Sequence, residues 1–104
     1  MDEKFVRDRI TQLRLQKGVS EYTMSYELGH SRGYIYNFSS GKALPPLKEL
    51  FAICDYFGIT VSQFFDENEN APCVANEIAR EFKSLDEKDI LLIAEIIKRL
   101  KKDQ

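Results

Sequence analysis

Residues 20–41 read SEYTMSYELGHSRGYIYNFSSG, and this stretch decides the fold. Met24 and Leu28 are four residues apart, which places them on one face of a helix. Ser20 precedes them, and a serine in that position caps a helix by accepting hydrogen bonds from its first free N–H groups. We therefore expect a short helix that begins after Ser20 and stops at Gly29.

A second short helix is predicted from Ser31 to Ser39, capped by its first serine. Ile35 and Phe38 lie three residues apart and are expected to anchor this helix to the core, which leaves its other side facing outward. Gly29 accepts the positive φ that a tight turn needs, and Ser25 is small enough for a close helix crossing. Two short helices joined by a glycine-containing turn are the sequence form of a helix-turn-helix.

The flanking sequence predicts more short helices, since no segment shows sustained period-2 alternation. A first helix is expected to end at Gly18 and a fourth to follow Pro45 and Pro46, which suit a first helical turn. Thr60 and Gln63 form a capping box for a fifth helix. The expected buried stripe of the fourth helix is Leu47, Leu50, Phe51, Cys54 and Phe57.

The chain is predicted to comprise a domain over residues 1–66, a polar linker over 67–73 and a helical extension over 74–104. A second capping box, from Ser84 to Glu87, is expected to open a strong terminal helix. The wide apolar face of that helix consists of Ile90, Leu92, Ile93, Ile96, Ile97 and Leu100. We expect this face to be a homodimer interface, with folding back onto the same chain as the alternative.

Composition excludes several classes of protein. The apolar run from Ile90 to Ile97 is too short to span a bilayer, and the N-terminus has no apolar signal region, so a cytoplasmic protein without membrane contact is expected. Cys54, Cys73 and the single histidine, His30, do not have the spacing of a metal site. No nucleophile set or glycine-rich phosphate loop is present, so we expect no enzyme, no metal and no cofactor.

The ordered landmarks resemble a known family. They are Arg9-Ile10, Leu13-Arg14, Lys17 to Ser20, Glu27 to Gly29, Ser31-Arg32, Ile35, Gly41-Lys42, Pro45 and Leu47. This set resembles the phage-repressor (Xre or Cro-type) helix-turn-helix family over about residues 4–65. The resemblance implies an all-α, five-helix lambda-repressor-like domain whose third helix enters the major groove of double-stranded DNA. It also implies a sequence-specific transcriptional regulator, expected to be a repressor that binds two half-sites as a dimer.

The resemblance also implies which residues contact DNA. Those expected to face bases are Ser31, Arg32, Gly33, Tyr36 and Asn37. Arg32 is suited to guanine O6 and N7, and Asn37 to adenine N6 and N7. Lys42 is expected near the DNA backbone, as is Glu21 at the first position of the second helix.

Three features depart from the family pattern and favour an alternative function. The family usually has glutamine where Glu21 stands, and phosphate repels a carboxylate unless that group binds a base amine or a cation. Gly33 removes a base-reading side chain, and the net charge of −2 supplies no general attraction to nucleic acid. The alternative is a protein-interaction module, such as an antirepressor or an antitoxin. Tyr22 and Tyr56 are expected at the edge of the core.

Overall fold

The computed structural model describes residues 1–102. That part of the chain forms seven helices and no strand, which confirms the all-α prediction. The helices are α1 Glu3–Lys17, α2 Glu21–Glu27, α3 Tyr34–Ser39, α4 Leu47–Phe57, α5 Val61–Phe64, α6 Pro72–Phe82 and α7 Glu87–Lys102. The predicted extension also includes residues 103 and 104, which lie outside the described residues.

Several helix ends form where local sequence predicts them. Gly18 ends α1 in the left-handed conformation, with φ 77°. The Ser20 hydroxyl accepts a hydrogen bond from the Thr23 N–H at 3.0 Å and caps α2. The capping box of α5 is complete, because the Thr60 hydroxyl accepts from the Gln63 N–H while the Gln63 side chain accepts from the Thr60 N–H. These caps confirm the corresponding predictions.

Two other helix starts were predicted wrongly. Helix α3 begins at Tyr34 rather than Ser31, because the Ser31 carbonyl accepts the Tyr34 N–H in a turn and the Ser31 side chain caps nothing. The second capping box is also absent from the described residues. The Ser84 hydroxyl donates backwards to the Glu81 carbonyl, and it is Asp86 that caps α7 by accepting from the Asp89 N–H.

The core lies among the first five helices. Its buried residues are Ile10, Leu13, Met24, Ile35, Phe38, Leu50, Ile53, Cys54, Phe57, Ile59 and Phe64. Leu47 and Phe51 are exposed, so the predicted stripe of α4 is narrower than the spacing suggested. Burial, with a smaller effect from the charge of Asp55, raises the pKa of the Cys54 thiol to about 11, and this cysteine is therefore an inert core residue.

Arg9 is a buried cation that joins α1 to the end of α5. Its Nε donates to the Phe64 carbonyl at 2.9 Å, and its Nη2 donates to the carbonyls of Gln63 and Asp66 at 2.8 and 3.3 Å. Its Nη1 donates to the Gln12 side chain at 2.8 Å. Gln63 and Phe64 are the last two residues of α5, so one side chain of α1 donates to the carbonyls at the end of that helix.

The chain divides between Cys73 and Val74 into two compact units. Helix α6 begins at Pro72, so regular structure starts two residues before the predicted extension. In the second unit no α7 side chain is buried.

Within residues 1–102, no helix has both the length and the apolarity needed to cross a membrane. The same residues contain no group of three potential metal ligands.

Replacing Arg9 by methionine tests the link to α5. The Arg9→Met variant keeps an unbranched side chain but removes every guanidinium donor, including the one that binds the Phe64 carbonyl in the interior. We expect the free energy of unfolding to fall by roughly 2–4 kcal/mol in a denaturant titration. Lys4→Met is the matched control, since it removes an exposed cation from the same helix. An equal decrease in the free energy of unfolding in both variants would show that the hydrogen bonds from Arg9 to α5 do not stabilise the fold.

Candidate nucleic-acid interface

Ser25 joins α2 to α3. Its side chain is completely buried, and its hydroxyl donates to the Glu21 carbonyl at 2.7 Å. The same oxygen accepts the Ile35 N–H at 3.1 Å. That amide lies in the first turn of α3, where no carbonyl of the same helix is available. Since Gly33 at the N-cap position has no side chain, Ser25 supplies the cap of α3 from the neighbouring helix.

The turn between the two helices is fixed by glycine and by backbone hydrogen bonds. Gly29 has φ 81°, as predicted, and the His30 N–H donates to the Ser25 carbonyl at 2.9 Å. The His30 ring then stacks on Tyr34, with centroids 3.7 Å apart and planes within 6°. His30 therefore packs against the first residue of α3.

Helix α3 has one buried side and one exposed side. Ile35 and Phe38 are buried in the core, which confirms their predicted anchoring role. The predicted base-facing residues all lie on the exposed side or in the turn before it: Ser31, Arg32, Gly33, Tyr36 and Asn37. Lys42, just after the helix, is exposed as well. All six residues are thus accessible to solvent.

Glu21 is held by a hydrogen bond within the fold. Its Oε2 accepts from the Ser39 hydroxyl at 2.5 Å, so the carboxylate connects the start of α2 to the last residue of α3. The sequence analysis missed this bond, because the two residues are far apart along the chain. The bond engages one of the two carboxylate oxygens and gives Glu21 a structural role beside its predicted position near phosphate.

Two cations at the exposed surface lie over tyrosine rings. The guanidinium of Arg32 is 5.6 Å from the centroid of Tyr22, and the ammonium of Lys42 is 5.0 Å from that of Tyr36. Both distances fall within the range of a cation–π contact. Tyr22 is 56% exposed, so its predicted place at the edge of the core was wrong, whereas Tyr56 is half-buried there as expected.

Tyr34 is held neutral beside this surface. Burial, followed by the negative charge of Glu49 and a hydrogen bond to that carboxylate, raises the pKa of Tyr34 to about 12. The His30 Nε2 lies 3.9 Å from Glu49 Oε1. Tyr34 therefore stays protonated at physiological pH, and its hydroxyl remains a possible hydrogen-bond donor.

A family model described as helix-turn-helix matches residues 10–64, just over half of the chain. The chain belongs to this helix-turn-helix family. The match is of the Xre and lambda-repressor type, which confirms the resemblance stated from the sequence. Helix-turn-helix proteins of this family are DNA-binding transcriptional regulators and generally not enzymes, and this chain is such a regulator. No curated protein and no solved structure gives a significant match.

The helix-turn-helix match covers α2 and α3 completely, together with residues that cap these helices or join them: Ser20, Glu21, Ser25, Gly29 and Ser39. Of these, sequence reasoning missed Ser39. A serine at the end of a short helix gave no signal of its role, since its partner is identified only when the two helices cross.

Removing the Ser25 hydroxyl tests the cap supplied by α2. Ser25→Ala leaves the buried Ile35 N–H without a partner, and we expect the free energy of unfolding to fall by about 1–3 kcal/mol. Urea titration followed by circular dichroism measures the change. Ser62→Ala, which removes an exposed hydroxyl from α5, is the control and should have little effect. Unchanged stability of the Ser25→Ala variant would contradict the assigned role.

Proposed function

We propose that this regulator is a sequence-specific repressor that binds DNA as a homodimer, with α3 in the major groove. The base-contacting residues in this proposal are Ser31, Arg32, Gly33, Tyr36 and Asn37, with Glu21 and Lys42 near the backbone. The observation that supports it best is the division of α3, whose apolar side chains are buried while the opposite side is accessible. A helix anchored in this way can enter a groove without exposing its core.

Local charge supports the proposal despite the net charge of −2. Within residues 1–102, neither Arg32 nor Lys42 forms an ion pair with a carboxylate, so both cations are available to an anion from outside. Arg14, nearby along the chain, is already engaged, because it donates a hydrogen bond to the Val19 carbonyl at 2.9 Å. DNA binding by this chain then depends on few cations in defined places.

Arg32 is the most informative residue for testing base recognition. A binding site is first selected from a random DNA pool and tested for two-fold symmetry. Arg32→Ala is expected to weaken binding to that site by about 1–3 kcal/mol and to relax the preference at one base position. Fluorescence anisotropy on the selected site and on its single-base variants measures both effects.

Arg32→Lys is the matched control, because it keeps the charge and loses the bidentate guanidinium. If Arg32 pairs with guanine, the lysine variant recovers phosphate attraction but not the preference at that base. Full recovery of affinity and preference by lysine would contradict base recognition and would assign Arg32 to the DNA backbone.

The second unit supports the dimeric part of the proposal. Helix α7 exposes five large apolar side chains: Leu91, Leu92, Ile96, Ile97 and Leu100. Leu92, Ile96 and Leu100 are spaced by four residues and form a stripe along one side of the helix. Since a repressor with two half-sites needs a paired subunit, we assign this stripe to a second copy of the chain, with residues 74–104 as the dimerisation element and 67–73 as the linker from the 1–66 domain.

Ile96→Glu tests the dimer by placing a carboxylate in the middle of the stripe. We expect sedimentation velocity to show monomers at concentrations where the parent chain is dimeric, and binding to the two-fold site to weaken. Lys98→Gln is the control: it also lowers the net charge by one, but two residues along a helix point to nearly opposite sides. A variant that remains dimeric, or a parent chain that is monomeric, would refute this role for α7.

The exposed tyrosines favour a second function, that of a module that binds another protein through the same surface. Tyr22, Tyr26 and Tyr36 are all more than half exposed, and tyrosine is enriched at protein interfaces. Salt dependence separates the two functions. Affinity for DNA should fall steeply with salt, whereas absence of DNA binding at low salt would favour the protein-binding function.

A further inference from the structure

We propose that Tyr22 is a positioning residue that orients Arg32 for contact with DNA, and that Tyr36 does the same for Lys42. The inference rests on the proposed function, in which Arg32 contacts a base and Lys42 lies near the backbone. It adds a role for the ring of Tyr22, which contacts a cation rather than the DNA, and a second role for Tyr36 beside its proposed base contact.

The contact between Arg32 and Tyr22 crosses the helix-turn-helix. Tyr22 is in the first turn of α2, whereas Arg32 lies in the non-helical segment just before α3. In the described part of the chain, the guanidinium has no hydrogen bond and no carboxylate partner, and its one polar contact is the Tyr22 ring at 5.6 Å. Without that ring, a long side chain on a turn would sample many rotamers before binding.

Lys42 is in the same situation at the other end of α3. It follows the helix in the turn before α4, and its ammonium lies 5.0 Å from the centroid of Tyr36. The two cations that flank α3 are therefore each paired with one aromatic ring. Tyr26 shows that this is not a general property of exposed tyrosines here: it is 74% exposed on α2, and in the described residues no cation lies over its ring.

The geometry allows Tyr22 to orient Arg32 without keeping the guanidinium away from DNA. A cation–π contact uses the face of the ring and leaves the N–H groups of the guanidinium unpaired, so these donors remain available to guanine O6 and N7. A carboxylate partner would occupy the same donors and would have to be displaced by DNA. The Tyr22 ring limits the conformations that the Arg32 side chain can adopt. No hydrogen bond of Arg32 within the described residues has to be broken when DNA binds.

The experiment compares three variants of the full chain on the selected DNA site. Tyr22→Leu removes the aromatic ring, and we expect binding to weaken about two- to fivefold, with reduced discrimination at the base that Arg32 recognises and an unchanged salt dependence. Tyr22→Phe keeps the ring and should retain parent affinity and discrimination. Tyr26→Leu is the control for loss of an exposed tyrosine from α2 and should bind like the parent.

A double-mutant cycle then asks whether Tyr22 acts through Arg32. In the Arg32→Ala background, Tyr22→Leu should have no further effect, because the residue to be oriented is gone. The corresponding cycle for Tyr36 and Lys42 should show coupling as well. Thermal unfolding of each variant identifies any loss of affinity that comes from loss of the fold. If Tyr22→Leu does not fold, the comparison of Tyr22→Phe with the parent chain still tests whether the ring is sufficient.

The outcomes separate the inference from the proposed function. If Arg32→Ala weakens binding while Tyr22→Leu does not, or strengthens it, the positioning role is refuted and base recognition by Arg32 stands. Additive effects in the cycle, or equal losses in Tyr22→Phe and Tyr22→Leu, also refute it, since they assign Tyr22 a direct contact of its own. If Arg32→Ala has no effect, base recognition by Arg32 fails, and the inference fails with it.

Discussion

The placement of α3 depends on one buried hydrogen bond, from the Ile35 N–H to the Ser25 hydroxyl. A six-residue helix with glycine at its N-cap has little stability of its own, since nucleation is costly and no N-cap side chain is present. Ser25 supplies the missing acceptor from α2, and its small size permits the close approach of the two helices. The direction in which α3 presents its exposed side follows from this contact together with the burial of Ile35 and Phe38.

The sequence predicts what short-range interactions determine. The glycine end of α1, the serine cap of α2 and the capping box of α5 involve groups within a few residues of each other, and each was located correctly. The start of α3 was not, because Ser31 stands in a turn whose carbonyl, rather than its hydroxyl, binds the next amide. Two local hydrogen bonds of similar strength compete there, and the pattern of residue types does not decide between them.

Sequence reasoning did not predict the contacts between residues that are far apart along the chain. Arg9 is buried despite its charge, because its guanidinium donates to carbonyls at the end of α5, more than fifty residues away along the chain. Glu21 and Ser39 meet only because α2 and α3 cross at a particular angle. The side chains on the outward side of α3 were predictable as a set from the two anchors, whereas their partners were not, since each partner lies on another helix or in a turn.

The scarcity of cations at this surface affects how the chain can distinguish DNA sequences. Phosphate contacts by many lysines and arginines bind all DNA, whereas contacts with base edges depend on sequence. In a chain of net charge −2, the electrostatic term that favours arbitrary DNA is small, so under the proposed base recognition a correct site would gain affinity mainly from well-placed contacts. Each cation then matters for where it points, and tyrosine rings, which are uncharged, can orient a cation without neutralising it. An aromatic surface with few cations is therefore compatible with specific DNA binding.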